Sequence, residues 1–313
     1  VIEMTSEGAK QFRHKGIELD ALVFTNLQPE HLESHGSMEA YAAAKLSLAT
    51  QLSHSSKRPR YIVANADDAY GAAFLKTPVE VRVPFSLADA QPYSVDDRGV
   101  RFVYKQGEVF TVPLPGLFSL HNILAVLALG DAIGLDMASM KQTLEHTTTI
   151  LGRAERVEAG QQFSVIVDYA HTPDSLRALF ETYKGKRMIV VMGSTGGGRD
   201  QWKRPEMGRI ADEYCAVCVL ANEDPYDEDP QKILNDIAQG FKTKKPHIIF
   251  DRREAIAFAL QQAQPGDVVL ITGKGTDPYI MGPNGSKEEW DDKRVALEEL
   301  HKYLGVELKT AVV

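Results

Sequence analysis

Several short stretches of the sequence gather side chains that do acid–base, phosphate or metal chemistry. Gly193-Ser194-Thr195-Gly196-Gly197-Gly198-Arg199-Asp200 follows an apolar run and precedes a helical pattern, with Lys203 and Arg204 at its exit. Backbone in such a loop passes close to a phosphate or carboxylate at a helix start; the bland alternative is a plain βα turn. It is not a dinucleotide fingerprint, because Thr195 stands where the second glycine of G-x-G-x-x-G belongs. Gly273-Lys274-Gly275-Thr276 invites comparison with a P-loop, but Val268 and Gly275 break G-x-x-x-x-G-K-S/T, and that motif occurs nowhere in the 313 residues. It reads as a second glycine-containing loop, with Asp277 available for a cationic group. Asn222 to Asp229 holds five acids, Glu223, Asp224, Asp227, Glu228 and Asp229, around Pro225 and Tyr226. Acids ahead of a helix also serve simply as a solvated N-terminus, and Pro230 fits that use. Glu3, His31 and Lys45 form a further candidate cluster for cations and phosphate, although each alone is equally a surface or core residue.

The elements that must position these groups fall into two halves. At roughly 100 to 200 residues per domain, 313 residues predict two domains, here 1–150 and 151–313. In the first, strands are expected at Ala21–Thr25 and Tyr61–Asn65, and a helix from Ser37 to about Leu52. A hairpin-rich region is expected over Val79–Val112, and helices at His121–Ile133 and Met137–His146. Val1-Ile2-Glu3-Met4 reads as the end of a strand, which predicts chain upstream of Val1. In the second half, apolar runs at Phe163–Val167, Met188–Met192, Ala216–Leu220, His247–Phe250 and Val268–Thr272 alternate with amphipathic helices. That pattern predicts a parallel sheet covered on both faces, with ligands at the carboxyl ends of its strands. The loops holding Asp168-Tyr169-Ala170-His171, Gly193–Asp200, Asn222–Asp229 and Gly273–Tyr279 all fall there.

Composition narrows the function classes. Lys and Arg number 35 against 43 Asp and Glu, a net charge of −8, which argues against a general nucleic-acid binder. No run of about 18 apolar residues is present to span a bilayer and no signal-peptide layout is seen, so a cytoplasmic protein without membrane insertion is expected. The two cysteines, Cys215 and Cys218, lie in one apolar run where residues three apart face opposite sides of a strand; buried thiols are expected rather than a metal or redox pair.

Taken in order, these pieces resemble the Mur ligase family over nearly the whole chain, above all its third-amino-acid-adding members. The resemblance is carried by Glu3-Met4-Thr5-Ser6 with Gln11 and Arg13, Thr25-Asn26-Leu27, Glu30-His31-Leu32, His35-Gly36, Tyr41-Ala42-Ala43-Ala44-Lys45 and Asn65-Ala66-Asp67-Asp68. It continues in His121-Asn122, Gly152-Arg153-Ala154-Glu155, Asp168-Tyr169-Ala170-His171-Thr172-Pro173-Asp174, Arg199-Asp200 with Lys203-Arg204-Pro205, and Gly273-Lys274-Gly275.

It implies an α/β fold: a central ATPase-type domain, truncated at its N-terminus and lacking the P-loop, followed by a Rossmann-like C-terminal domain. It implies an ADP-forming ligase of peptidoglycan precursor synthesis, using ATP and Mg²⁺. Such an enzyme joins a free amino acid to a UDP-MurNAc-peptide through an acyl phosphate, and a monomer is expected. By resemblance, Glu3, His31 and a carbamylated Lys45 hold the metal. Thr5, Gln11 and Arg13 contact the UDP-MurNAc-peptide, and Asn122 contacts adenine. Arg153 meets the terminal phosphate, Asp168 the ribose, and His171 lies nearby. Arg199 holds the carboxylate of the incoming amino acid, with Gly273 beside it.

Diaminopimelate-adding members carry an Asp-Asn-Pro-Arg run whose arginine binds the second carboxylate. Here Glu223-Asp224-Pro225-Tyr226 stands in its place, and Asp277 replaces a glutamate. The expectation is therefore a substrate ending in an ammonium, lysine or ornithine. The alternative is a shortened, inactive homologue acting as a muropeptide-binding or scaffolding module.

Overall fold

Many helix starts in this protein are fixed by side chains that satisfy the otherwise orphaned first-turn N–H groups. Ser37, Asp136, Thr172, Asp229, Asp251 and Asp291 each accept such a bond. The structure, a computed structural model, describes residues 1–30 and 32–306, with the backbone alone at Leu32. His31 lies outside the described residues. The chain divides into two compact units at Thr148 and Thr149.

The first unit runs α1 (Ser6–Lys10), β1 (Ala21–Phe24), α2 (Leu32–His35), α3 (Met38–His54), β2 (Tyr61–Asn65), α4 (Gly71–Leu75), β3 (Val81–Phe85), β4 (Tyr93–Val95), β5 (Val100–Val103), β6 (Val109–Val112), α5 (Leu117–Ala132) and α6 (Met137–His146). β1, β2 and β3 form a parallel sheet, and β4, β5 and β6 an antiparallel one. The expected hairpin region is thus split: β3 pairs in parallel with β2, because Val83 and Phe85 complete the core that β2 and the apolar α5 share. Val1–Met4 is not a strand end. Val1, Ile2 and Glu3 are exposed and pair with no strand among the described residues, and an extended segment without a ladder partner leaves its backbone groups to water.

The second unit runs β7 (Glu155–Val157), β8 (Ser164–Asp168), α7 (Pro173–Thr182), β9 (Met188–Met192), α8 (Lys203–Tyr214), β10 (Val217–Leu220), α9 (Pro230–Ala238), β11 (His247–Ile248), α10 (Arg252–Gln261), β12 (Val268–Thr272), β13 (Tyr279–Met281), β14 (Lys287–Glu289) and α11 (Asp292–Leu304). Its six-stranded sheet has the order β11-β10-β9-β12-β8-β7, parallel except for β7. Alternate strand residues such as Val167, Val191 and Ile271 pack on α10 and α11 through Ile256, Leu260, Val295 and Leu300. The intervening Ile166, Val190 and Leu270 are equally buried, so both sheet faces are covered. Cys215 is not on the strand as expected but caps the end of α8. It and Cys218 are buried, and burial holds the Cys215 thiol well above its ordinary pKa, reinforced by Cys218 beside it. Among the described residues no helix is long and apolar enough to cross a membrane.

Candidate functional site

In the first unit the candidate residues surround α1 and α3. Thr5 caps α1, its hydroxyl accepting the Gly8 N–H at 3.0 Å; Gln11 ends that helix, and Arg13 follows with its backbone N–H on the Gly8 carbonyl at 2.9 Å. All three side chains are exposed. Lys45, half-buried on α3, has its pKa lowered by desolvation, against the opposing pull of Glu30 and Glu3. The structure thus gathers Lys45, Glu3 and Glu30, of which Glu30 carries no sequence-predicted role. Asn122 is exposed on α5; its neighbour His121 lies 3.8 Å from Asp67.

The second unit brings four strand ends together on one rim. At the end of β8, Asp168 accepts the Ala154 N–H at 2.6 Å and the Ala170 N–H at 2.7 Å, tying the segment before β7 to the loop after β8. Burial pushes its carboxyl above the usual range despite those two donors and the nearby Arg153. The Arg153 guanidinium stacks 4.4 Å from the Tyr169 ring centre. His171 lies edge-on to the same ring, its Nδ1 2.7 Å from the Tyr169 carbonyl oxygen.

Glu223, just past β10, is buried with Oε2 making no hydrogen bond, while Oε1 accepts from the Thr195 hydroxyl at 3.3 Å. Burial raises its pKa, with Arg252 and Lys274 pulling the other way. Gly273 must be glycine here: its φ is +108° and an added Cβ would sit 2.2 Å from Glu223 Oε2. Gly275, at φ +51°, similarly allows the Tyr169 side chain to pass.

Two expectations about charge are corrected. Asp224 does not face outward for a ligand; both its carboxylate oxygens lie 2.8 Å from the ammonium of fully buried Lys274, and Oδ1 also accepts the Met281 N–H at 2.8 Å. Asp277 likewise faces a cation of the chain itself, 3.6 Å from that ammonium. A lysine so deeply desolvated must keep its counter-charge close, so Lys274 takes the acids that sequence spacing leaves open. Arg204, at the exit of the glycine-rich loop, is fully buried against Glu228 and Asp236 at 2.7 and 3.0 Å. Of the loop's cations Arg199 remains exposed, its guanidinium 4.9 Å from the Tyr226 ring centre.

Sequence reasoning missed the pair beneath the rim. Arg252 and Asp292 are both completely buried, joined by bonds of 2.7 and 2.8 Å, with the Trp290 indole N–H on the same carboxylate. Arg252 also donates to the carbonyl oxygens of Thr272 at 2.8 Å and Asn222 at 3.4 Å, fixing the ends of β12 and β10. The partners are 40 residues apart, so no local spacing signals them. Beside Tyr226 lies a cavity of about 520 Å³ lined in part by Asp227, Asp229, Phe250, Ile280, Lys287 and Glu288.

Residues 1–130 match the Mur ligase middle domain and residues 152–275 the Mur ligase glutamate ligase domain. A UDP-N-acetylmuramoyl-L-alanyl-D-glutamate–2,6-diaminopimelate ligase of Caldanaerobacter subterraneus subsp. tengcongensis is 36% identical over 90% of this chain and 60% of its own. One of Listeria monocytogenes is 36% identical over 98% and 65%. The solved structure of a ligase of the same description has 32% identity and a TM-score of 0.57, over 96% of this chain and 64% of that one. A folylpolyglutamate synthase of Mycobacterium tuberculosis, at 17% identity and a TM-score of 0.66, shares the fold. The chain spans less than two thirds of the length of these curated relatives. Matched over most of both its units, it belongs to the Mur ligase family.

Proposed function

We propose that these residues form the middle and C-terminal parts of an ATP-dependent ligase that joins a diamino acid to UDP-MurNAc-dipeptide, with lysine or ornithine preferred. The observation that carries the ligase reading is the second unit's rim. Arg153 and Arg199, two guanidinium groups with no carboxylate in salt-bridge contact among the described residues, stand on it, whereas Lys274 and Arg204 are paired with carboxylates of the chain. A planar guanidinium suits bidentate binding of phosphate or carboxylate.

The residues present fit the implied groups. ATP and Mg²⁺ supply the transferable phosphoryl group and the screening of its charge. Arg153 takes the terminal phosphate, and each Asp168 oxygen has a second lone pair left for a ribose hydroxyl. Asn122 takes the adenine. Glu3 and Lys45 hold metal together with His31, which lies outside the described residues. Lowering of the Lys45 pKa raises its neutral-amine fraction, the form that adds carbon dioxide to become a carbamate anion. Thr5, Gln11 and Arg13 take the peptide-bearing nucleotide; Arg199 takes the carboxylate of the incoming amino acid, and Gly273, whose N–H is bonded to the Asp168 carbonyl at 3.1 Å, offers its carbonyl to the substrate's amine.

Its distal end enters the cavity beside Tyr226, where Asp227, Asp229 and Glu288 outnumber Lys287. This choice departs from the relatives, whose names specify 2,6-diaminopimelate. It rests on that acidic lining and on the aromatic residue at position 226. Asp224 no longer contributes, its charge being met by Lys274.

Amino-acid-dependent phosphate release by the natural full-length protein tests both levels. Turnover with L-lysine or L-ornithine exceeding that with meso-diaminopimelate is expected. The reverse order overturns the choice of amino acid. ATP turnover with none of the three overturns the ligase in favour of a muropeptide-binding module.

A further inference from the structure

We infer that Tyr226 is a positioning residue: its ring is the platform that holds the Arg199 guanidinium in place for the incoming carboxylate, an inference that rests on the role proposed above for Arg199. An exposed arginine on a glycine-rich loop samples many rotamers and loses that freedom when it binds. The described contact of the Arg199 guanidinium is with the Tyr226 ring, 4.9 Å from its centre. Stacking on an aromatic face restricts the guanidinium plane while leaving its N–H edge open for a carboxylate.

The platform itself is held from three sides. Tyr226 occupies a left-handed backbone conformation, φ +51°, and its N–H bonds the Met281 carbonyl at 3.1 Å. Below it, the Gly196 N–H bonds the Asp224 carbonyl at 2.7 Å, and a Cβ on Gly197 would lie 3.6 Å from the Tyr226 Cβ. On its far side Asp227 accepts the Asn284 N–H at 2.7 Å, and Glu228 accepts the Gly198 N–H at 3.1 Å while pairing with buried Arg204. The loop carrying Tyr226 is thereby fastened both to the loop carrying Arg199 and to the β13–β14 hairpin. These bonds fix the backbone from which the ring projects, whereas the described contact of the Arg199 guanidinium is with the ring itself.

The experiment is steady-state kinetics of the natural full-length protein bearing Tyr226→Phe, Tyr226→Leu, Tyr226→Ala and Arg199→Ala, with the double variant Tyr226→Ala/Arg199→Ala. An exposed cation–π contact predicts about a fivefold rise in KM for the amino acid in Tyr226→Ala and Tyr226→Leu. KM for ATP and kcat stay within about twofold, and Tyr226→Phe behaves as wild type. In the Arg199→Ala background, removing the ring adds nothing further. A Tyr226→Phe variant as impaired as Tyr226→Ala overturns the platform, since the hydroxyl would then be the active group. So does an unchanged amino-acid KM in Tyr226→Ala, or a loss confined to kcat. Arg199→Ala with an unaltered amino-acid KM defeats the carboxylate role and the platform together; Arg199→Ala impaired with Tyr226→Ala normal defeats the platform alone. Calorimetric Kd values for L-lysine must rank the variants in the same order, which separates lost binding from lost folding.

Discussion

Thr5, Gln11, Arg13 and Asn122 in the first unit are exposed, held in place by a helix cap, a helix end and a helix face. Their counterparts in the second unit, Asp168, Glu223, Asp224 and Lys274, are buried, and Arg252 and Asp292 beneath them admit no solvent at all. On the roles proposed above, the difference lies in how each unit would meet a charged ligand. The first would present open side chains that a large ligand must order. The second carries several kcal/mol of desolvation in fixed ion pairs, Lys274 with Asp224 and Arg252 with Asp292, and would leave the binding to a few groups, Arg199 and Arg153 among them. Preorganised charge of this kind does not have to rearrange when substrate charge develops.

The sharpest way to break that contrast is to remove one member of the buried pair. Arg252→Met leaves the Asp292 carboxylate buried without its cation and frees the carbonyls of Thr272 and Asn222, so a loss of about 3–5 kcal/mol is expected. Trp202 and Trp290 are the two tryptophans of the chain and both lie in the second unit. Urea unfolding followed by tryptophan fluorescence therefore reads that unit selectively. A midpoint shift worth less than about 1 kcal/mol would show that the pair is not what holds the rim.

Legibility in the sequence divides along the same line. The helix beginning at Ser37 and the strands β8, β9 and β12 could be read off because their causes are local: a capping hydroxyl, or an unbroken apolar run of three to five residues. The parallel pairing of β3 could not, since local alternation is the same for a hairpin and for a sheet-edge strand, and only the shared core with α5 decides. The three-residue β7 and the β13–β14 hairpin carry too few residues for any period to show. Arg153 and Arg199 entered through the family resemblance, as groups for phosphate and carboxylate, and no spacing told that neither would have a carboxylate in salt-bridge contact among the described residues. Lys274 misled because its partner Asp224 is 50 residues away; spacing suggested acids awaiting a ligand where the fold had already supplied the cation. Arg252 and Asp292 belong to no motif, and nothing but the tertiary structure joins them.

Acid sharpens the contrast with a smaller effect. Glu228, bonded to Arg204, has its carboxyl lowered from 4.5 to about 2, and in the first unit Glu80, bonded to Arg60, is also lowered to about 2. A folded-state value below the unfolded one means that the stabilisation is in force above about pH 4.5 and disappears as the pH falls toward 2. Both units are therefore expected to weaken in the same window. Glu228→Gln should flatten the pH dependence of the tryptophan-reported transition, while leaving unchanged the acid sensitivity of hydrogen exchange around Arg60. A variant whose fluorescence midpoint still falls steeply between pH 4.5 and 2 would place the acid-sensitive contact elsewhere.

In the first unit the expected stability effects are smaller. Thr5→Ala removes the bond to the Gly8 N–H and should cost about 1 kcal/mol, as for a lost N-cap, seen as faster exchange of the Gly8 amide. If that amide is already unprotected, the cap is not formed in solution.

Arg13→Ala is the smallest perturbation and the most diagnostic. Its side chain is exposed and no carboxylate pairs with it among the described residues, so folding stability should change by no more than about 0.5 kcal/mol. If Arg13 holds an anionic part of UDP-MurNAc-dipeptide, the loss of one charged hydrogen bond, about 1.5–3 kcal/mol, should still weaken affinity at least tenfold. Calorimetric titration of that nucleotide, set beside urea unfolding of the same variant, separates the two. A fall in stability with affinity intact would mean that the first unit uses its arginine as the second unit uses Arg252, to hold the fold, and the contrast between open and prepaid sites would not stand.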